Sequence, residues 1–102
     1  MTKRVVFTPE ADDDILEAYR WYQTQEAGLG EEFLRCVGAC LESIQRHPLM
    51  YRVAIDDFRR ALIRRFPVEI FYEATDQQIV VYSVFHCALD PAKWQQRLRR
   101  SR

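Results

Sequence analysis

The sequence predicts an α+β fold with the order β-α-α-β-β-β, in which a two-helix hairpin packs on one face of an antiparallel sheet and a short C-terminal helix follows. Apolar residues have helical spacing in the N-terminal half, whereas from residue 58 they form β-branched and aromatic runs separated by turn residues. The chain has 102 residues and 48% apolar content, which is enough to bury one core without disulfides. A single domain spanning residues 1–102 is therefore expected.

The first strand and helix follow from "KRVVFT" and "TPEADDDILEAYRWY". Thr8 is the expected N-cap, and Pro9 suits the first helical position. The acidic run that ends at Asp14 places negative charge at the positive end of the helix dipole, which favours a helix start over a metal site. The apolar face of this helix consists of Ala11, Ile15, Ala18, Tyr19 and Tyr22.

A second helix is predicted over "EEFLRCVGACLESIQRH", before Pro48. The preceding "EAGLG" is expected to end the first helix through Gly28 and Gly30. Gly38, inside the second helix, is expected to permit close contact with a neighbouring element. The apolar stripe consists of Phe33, Val37, Cys40, Leu41 and Ile44.

Three antiparallel strands are predicted from "FRRALIRRF", "PVEIFYEA" and "QIVVYSVFH", which together cover residues 58–86 except for a short turn. "DPAKWQQRL" predicts a final helix with Asp90 as its cap. Trp94 and Leu98 form an apolar pair on that helix. The expected result is a sheet with one face covered by the helix hairpin and one face open.

Cysteine use and hydropathy limit the class of protein. Three cysteines in a chain without an export signal argue against a disulfide framework and favour a cytoplasmic protein. Cys36 and Cys40 lie one helical turn apart, but no further ligands accompany them, so core packing is favoured over metal binding. The longest apolar run, "IVVYSVF", is too short to cross a membrane. No metal, cofactor or membrane contact is expected.

The charges are unevenly distributed along a chain whose net charge is zero. Residues 1–46 carry five basic and nine acidic side chains, a net charge of −4, and residues 47–102 carry ten and six, a net charge of +4. Thirteen of the fifteen cations are arginine, whose planar guanidinium binds phosphate or carboxylate through two hydrogen bonds. The composition favours an anionic partner, although it also suits salt bridges.

Alternation along "FRRALIRRF" distributes the arginines over both faces of the predicted strand. Arg59 and Arg65 are expected on the helix-covered face, at the strand ends, where their long side chains can reach water. Arg60 and Arg64 are expected on the open face, together with Phe58, Leu62 and Phe66. These two arginines are therefore candidates for anion binding, and the alternative is that they form ion pairs with glutamates of the next strand, Glu69 or Glu73.

The last predicted strand ends at His86, in a row with Val80, Tyr82 and Val84. Imidazole can act as an acid or a base near neutral pH, so His86 is a candidate for proton transfer. The alternative is a histidine that is satisfied by hydrogen bonds in a turn. Tyr82 can contribute to a site or simply pack with its hydroxyl in water.

Taken in order, "IQRHP", "RRALIRRFPVEIFYEA", "IVVYSVFH" and "DPAKWQQR" resemble the RelE/ParE superfamily of toxins from type II toxin–antitoxin systems, also known for plasmid stabilisation. The resemblance implies a growth-inhibiting toxin that a cognate antitoxin wraps around and neutralises. One branch of the superfamily cleaves messenger RNA in the ribosome, and another inhibits DNA gyrase without nuclease chemistry. The resemblance also implies that the open sheet face is the working surface.

The resemblance places the basic strand of the superfamily on Arg59, Arg60, Arg64 and Arg65, and its terminal histidine on His86. Members with this type of "FPVEIFYE" strand carry an arginine just before the Asp-Pro pair, where this chain has Leu89. The resemblance implies that this substitution removes one phosphate contact. It therefore favours a weakened or differently targeted toxin, or a catalytically inactive domain that only binds its antitoxin.

RNA cleavage without metal requires proton transfer and stabilisation of charge on the phosphorane. In a nuclease, Arg60 and Arg64 would stabilise this charge and His86 would transfer a proton, whereas gyrase inhibition needs only a complementary surface. A second proton-transfer group is not evident, and Glu69, Glu73 and Tyr82 are the candidates. The expected binding residues are Arg59, Arg60, Arg65 and Tyr82, with the basic C-terminal helix around Lys93, Arg97 and Arg100 as another possible surface.

Overall fold

The computed structural model describes residues 3–101. Its elements are β1 (Arg4–Phe7), α1 (Pro9–Gln25), α2 (Leu29–Arg46), β2 (Val53–Ile55), β3 (Phe58–Leu62), β4 (Val68–Ala74), β5 (Gln78–His86) and α3 (Pro91–Arg100). The sheet order is β1-β5-β4-β3-β2, with β1 parallel to β5 and the other neighbours antiparallel. The predicted α+β fold with a helix hairpin and a short C-terminal helix is confirmed. Among these residues no helix has the length and apolar character needed to span a membrane.

The main core lies between the helix hairpin and the sheet. The rings of Tyr22, Phe33 and Phe66 meet at centroid distances of 4.9–5.4 Å. Ile70 and Ile79 of the central strands are fully buried beneath the same helices. Both predicted apolar helix stripes contribute to this core, because their 3.6-residue spacing places one face of each helix against the sheet.

The prediction that the other sheet face is open is wrong. Helix α3 packs on it, and Trp94 and Leu98 form a second core with Phe58 of β3 and Phe71 of β4. The Trp94 and Phe71 ring centroids are 4.9 Å apart. The apolar pair on α3 and the aromatic side chains on this sheet face each need a partner, and they bury one another.

The basic strand is shorter than predicted. Strand β3 ends at Leu62, and Arg64 and Arg65 lie in a turn where Arg65 adopts a φ of 72°. Phe66 then packs in the core next to Tyr22, so the chain reverses before β4 begins. The expectation that Arg60 and Arg64 share one strand face is therefore wrong, because they lie on different local structures.

Strand β2 was not predicted, and it pairs with β3 at Val53–Arg59 and Ile55–Phe58. It contains three residues, which is too few to show a periodic pattern. The turn that follows it contains Asp56 with a φ of 49°, a left-handed conformation that aspartate tolerates better than most residues.

A bulge in β5 breaks the predicted row of Val80, Tyr82, Val84 and His86. Phe71 pairs with Ser83 and Tyr72 pairs with Val81, so Tyr82 is the extra residue in the ladder. As a result Val84 belongs to the main core with Val81, whereas Tyr82 packs in the second core under α3. Strict alternation therefore fails at this position, and Tyr82 and His86 lie on opposite faces of the sheet.

The helix starts agree with the sequence. Thr8 Oγ1 accepts a hydrogen bond from the Ala11 N–H (3.1 Å), and Asp90 Oδ1 accepts one from the Ala92 N–H (2.9 Å). The link between α1 and α2 differs in detail, because Gly28 (φ 90°) precedes α2, and Gly30 lies inside α2 rather than at the end of α1.

Alanine substitutions at the two glycines of α2, Gly30 and Gly38, should have opposite effects on stability. A Cβ at Gly30 would lie 2.7 Å from Gln23 Oε1 and 2.8 Å from the Tyr19 ring, whereas nothing lies within 4 Å of a Cβ at Gly38. The expectation that Gly38 permits a close contact is therefore wrong, and Gly30 provides it. We expect Gly30→Ala to lower the free energy of unfolding by about 1–3 kcal/mol. Gly38→Ala should raise it by about 0.5–1 kcal/mol, since alanine favours a helix interior.

Urea denaturation followed by circular dichroism measures both changes. Equal effects of the two substitutions would contradict the packing assigned to Gly30.

Candidate functional site

The two side chains predicted to catalyse, Arg64 and His86, lie at the same end of the sheet but on different elements. Val68 pairs with His86 and Glu69 with Leu62, so the end of β5 and the turn after β3 flank the start of β4. Arg64 borders a groove beside α2, whereas His86 borders a groove beside α1. The two side chains therefore line different grooves at one end of the sheet.

His86 has a structural role in the turn after β5. Its Nδ1 accepts a hydrogen bond from the Ala88 N–H (3.0 Å), which places the proton of the neutral ring on Nε2. The residue as a whole is exposed. This geometry agrees with the alternative interpretation, in which His86 forms its hydrogen bond within a turn.

Arg60 faces α3 and already has two partners. Its Nε donates a hydrogen bond to Glu69 Oε2 (3.0 Å), and its guanidinium lies 5.5 Å from the centroid of the Trp94 ring. Both charged side chains are largely buried, with 26% and 15% of their surfaces exposed. The ion pair with Glu69 is the alternative that the sequence left open. Since Glu69 engages Nε, a phosphate at Arg60 would bind through the other N–H groups of the guanidinium.

Tyr82 also packs under α3. Its ring meets Phe58 edge to face at 5.0 Å, and its hydroxyl donates to Glu73 Oε1 (3.2 Å). Both glutamates proposed as proton-transfer groups therefore accept hydrogen bonds, Glu69 from Arg60 and Glu73 from Tyr82.

Arg59 and Arg65, the other two arginines of the basic segment, have different roles. Arg59 donates to the backbone carbonyls of Leu49 and Tyr51, which holds the connection between α2 and β2 against the sheet. Arg65 donates to Glu32 Oε1 (2.6 Å), and 71% of its side chain is exposed. Arg59 therefore stabilises the fold, whereas Arg65 remains accessible to a partner.

Asp14 and Arg97 form a bidentate ion pair that sequence reasoning missed. Both hydrogen bonds measure 2.9 Å, and Asp14 Oδ2 also accepts the Val84 N–H (3.0 Å). Burial raises the pKa of Asp14, although the hydrogen bonds from Arg97 and Val84 oppose that rise. The Arg97 guanidinium lies 4.8 Å from the centroid of the Phe85 ring. The pair links α1, β5 and α3, and its members are too far apart in sequence for any local pattern to reveal it.

A groove of about 510 Å³ runs between α1, the end of β5 and α3. Trp21 of α1 lines this groove and is 58% exposed, and His86 and Leu89 line it as well. Leu89 thus makes the groove wall beside His86 apolar, at the place where the superfamily resemblance implies an arginine. Within residues 3–101 no three His, Cys, Asp or Glu side chains cluster closely enough to hold a metal ion.

Comparison with known proteins agrees with this fold. Residues 5–91 match the family model of the ParE toxin of the parDE type II toxin–antitoxin system. No curated protein matches the sequence. Similar solved structures include a chromosomal ParDE system from P. aeruginosa, with a TM-score of 0.63 and 14% identity over 83% of this chain and 96% of that chain.

Two further structures are similar. A RelBE toxin–antitoxin complex from Mycobacterium tuberculosis has a TM-score of 0.60 and 17% identity, over 84% of this chain and 99% of that chain. A mutant of the E. coli toxin RelE in the free state has a TM-score of 0.61 and 16% identity, over 98% of both chains. At these identities the structures support the fold alone.

Proposed function

Because the chain belongs to the ParE family of toxins from type II toxin–antitoxin systems, we propose that it inhibits growth by binding DNA gyrase. The main support is that the residues expected to form a nuclease site line different grooves and lie on both faces of the sheet. Arg64 and His86 border different grooves, and Arg60 and Tyr82 lie on the far face of the sheet, engaged with Glu69 and Glu73. Inhibition by binding requires no convergence of catalytic groups.

The surroundings of His86 also favour binding over RNA cleavage. A phosphorane carries more negative charge than the phosphate, so a nuclease needs cations around the reacting group. Leu89 gives the groove an apolar wall there, and the arginine in the same groove, Arg97, is held by Asp14. The groove beside His86 thus has no free guanidinium among the described residues that line it.

We also propose that a cognate antitoxin neutralises the protein. The similar structures from P. aeruginosa and M. tuberculosis are described as a ParDE system and a RelBE toxin–antitoxin complex. The surface of this chain offers exposed arginines beside exposed apolar residues such as Trp21 and Leu62. An acidic partner that is disordered before binding can cover such a surface.

Induction of the chain in a bacterial host separates the possible targets. We expect plasmid supercoiling to fall and gyrase-bound DNA breaks to accumulate, while messenger RNA mapped by primer extension stays intact. His86→Ala should retain growth inhibition, because its hydrogen bond lies in an exposed turn and water can replace it. Arg64→Ala should slow association with gyrase in a salt-dependent way.

Circular dichroism of both variants provides the control for folding. Ribosome-dependent cleavage of messenger RNA would contradict gyrase inhibition and support the nuclease alternative. In that case the cleavage rate should fall by about 10²- to 10³-fold in both variants. Tight antitoxin binding without either activity would instead identify an inactive antitoxin-binding domain.

A further inference from the structure

The groove between α1, the end of β5 and α3 already contains one guanidinium group, which lies close to a carboxylate and an aromatic ring. Arg97 donates two hydrogen bonds of 2.9 Å to Asp14, and its guanidinium lies 4.8 Å from the centroid of the Phe85 ring. The two carboxylate oxygens match two N–H groups of the guanidinium, and the ring face attracts the cation. The groove thus shows how its walls accommodate an arginine side chain.

A second carboxylate and a second aromatic ring line the same groove. Glu17 follows Asp14 by three positions and Trp21 follows Glu17 by four, so the three side chains share one face of α1. Glu17 is exposed, and Trp21 is 58% exposed. Among the described residues, no cation pairs with Glu17 and none lies over the Trp21 ring. The second carboxylate and ring therefore remain accessible to a cation from outside the chain.

The charges that line the groove favour a cation over an anion. Besides His86, the charged lining residues are two carboxylates, Asp14 and Glu17, and one guanidinium, that of Arg97. Since Arg97 and Asp14 neutralise each other, the carboxylate of Glu17 carries the excess charge. An indole ring next to a carboxylate suits a planar guanidinium better than an ammonium group, because the guanidinium can stack and donate two hydrogen bonds together.

The remainder of the groove is apolar and larger than a guanidinium group. Its volume of about 510 Å³ lies in the range of sites that enclose a drug-sized ligand. The apolar lining residues near its base and sides are Ala18, Tyr22, Val68, Val84 and Leu89. An arginine with an apolar neighbour in its own chain would fill this space, and it would bury apolar surface in addition to forming the charged contacts.

We propose that this groove binds an arginine side chain of a partner protein, with its guanidinium between Glu17 and Trp21 and an adjacent apolar side chain against Leu89. The Glu17 carboxylate accepts hydrogen bonds from the guanidinium, and the Trp21 ring attracts its positive charge. The inference goes beyond the function proposed above, because it requires neither gyrase inhibition nor an antitoxin. The partner is defined by its chemistry, an arginine flanked by apolar residues.

A synthetic peptide with one arginine between two leucines tests the site in NMR titration of the full chain. We expect a saturable shift of the Trp21 indole N–H signal, whereas the Trp94 signal should stay in place because that ring is buried under α3. The matched control peptide carries citrulline, which has nearly the shape of arginine without its charge. It should bind about 3- to 10-fold more weakly, since it lacks the ion pair and the cation–π contact.

Substitutions in α1 test the two proposed contacts, with the Leu89 amide signal as the reporter. Glu17→Gln should weaken peptide binding by about 2- to 5-fold, and the loss should shrink at high salt. Asp13→Asn is the matched control, since it makes the same charge change at an exposed position of α1 that does not line the groove. Trp21→Leu keeps an apolar side chain and should also cost about 2- to 5-fold, through loss of the aromatic ring.

An unshifted Trp21 signal, equal affinity for the citrulline peptide, or equal effects of Glu17→Gln and Asp13→Asn would overturn the proposal. Arginine amide alone should bind more weakly than the peptide, because it lacks the apolar contacts. Equal affinity would assign the groove to a free guanidinium compound and contradict a protein partner. Dimerisation of the free chain in analytical ultracentrifugation, lost in the Glu17→Gln variant, would assign the groove to a second copy instead.

Discussion

Trp94→Ala is expected to lower the free energy of unfolding by about 3–5 kcal/mol, the usual cost of truncating a buried tryptophan. Trp94 is 7% exposed, and it joins α3 to the sheet through Phe71, with Leu98 and Phe58 in the same cluster. The substitution also removes the ring beneath Arg60. Chemical denaturation followed by circular dichroism measures the loss.

Trp21→Ala is the matched control, because the same residue type is 58% exposed there. Its effect should stay within about 1 kcal/mol, as for most surface substitutions. Similar losses in the two variants would contradict the second core under α3. Trp94→Phe should recover part of the stability, since phenylalanine keeps an aromatic contact with Phe71.

Asp14→Ala is expected to cost about 3 kcal/mol, because it leaves the Arg97 guanidinium largely buried without its carboxylate. The side chains of Arg97 and Asp14 are 22% and 13% exposed, so water compensates only in part. The substitution also removes the acceptor of the Val84 N–H next to the β5 bulge. We expect the loss in denaturation experiments together with faster hydrogen exchange at Val84.

Asp13→Ala on the same helix is the control, since Asp13 is exposed and should contribute less than about 1 kcal/mol through the helix dipole. Arg97→Ala combined with Asp14→Ala should cost less than the sum of the single substitutions, because the two side chains form one unit. Additive losses would show that the bidentate pair does not couple α1 to α3.

The sequence alone determined the elements whose signals are local. Thr8 and Asp90 cap helices because their side chains lie within reach of the next free backbone N–H groups. The apolar spacing of both long helices determined which of their faces would be buried, as the positions of Phe33 and Ile44 confirm. Superfamily membership likewise followed from the order of short segments, and the family match over residues 5–91 confirms it.

Only the tertiary structure decided what surrounds the candidate site. The Tyr82 bulge depends on the pairing between β4 and β5. One added residue places every later side chain of the strand on the opposite face of the sheet. The position of α3 depends on Phe58 and Phe71, which have no local link to Trp94. The pairs of Arg97 with Asp14 and of Arg60 with Glu69 then take up two arginines that composition alone left free for a partner. Such contacts depend on which surfaces meet in space, and residue spacing along the chain does not contain that information.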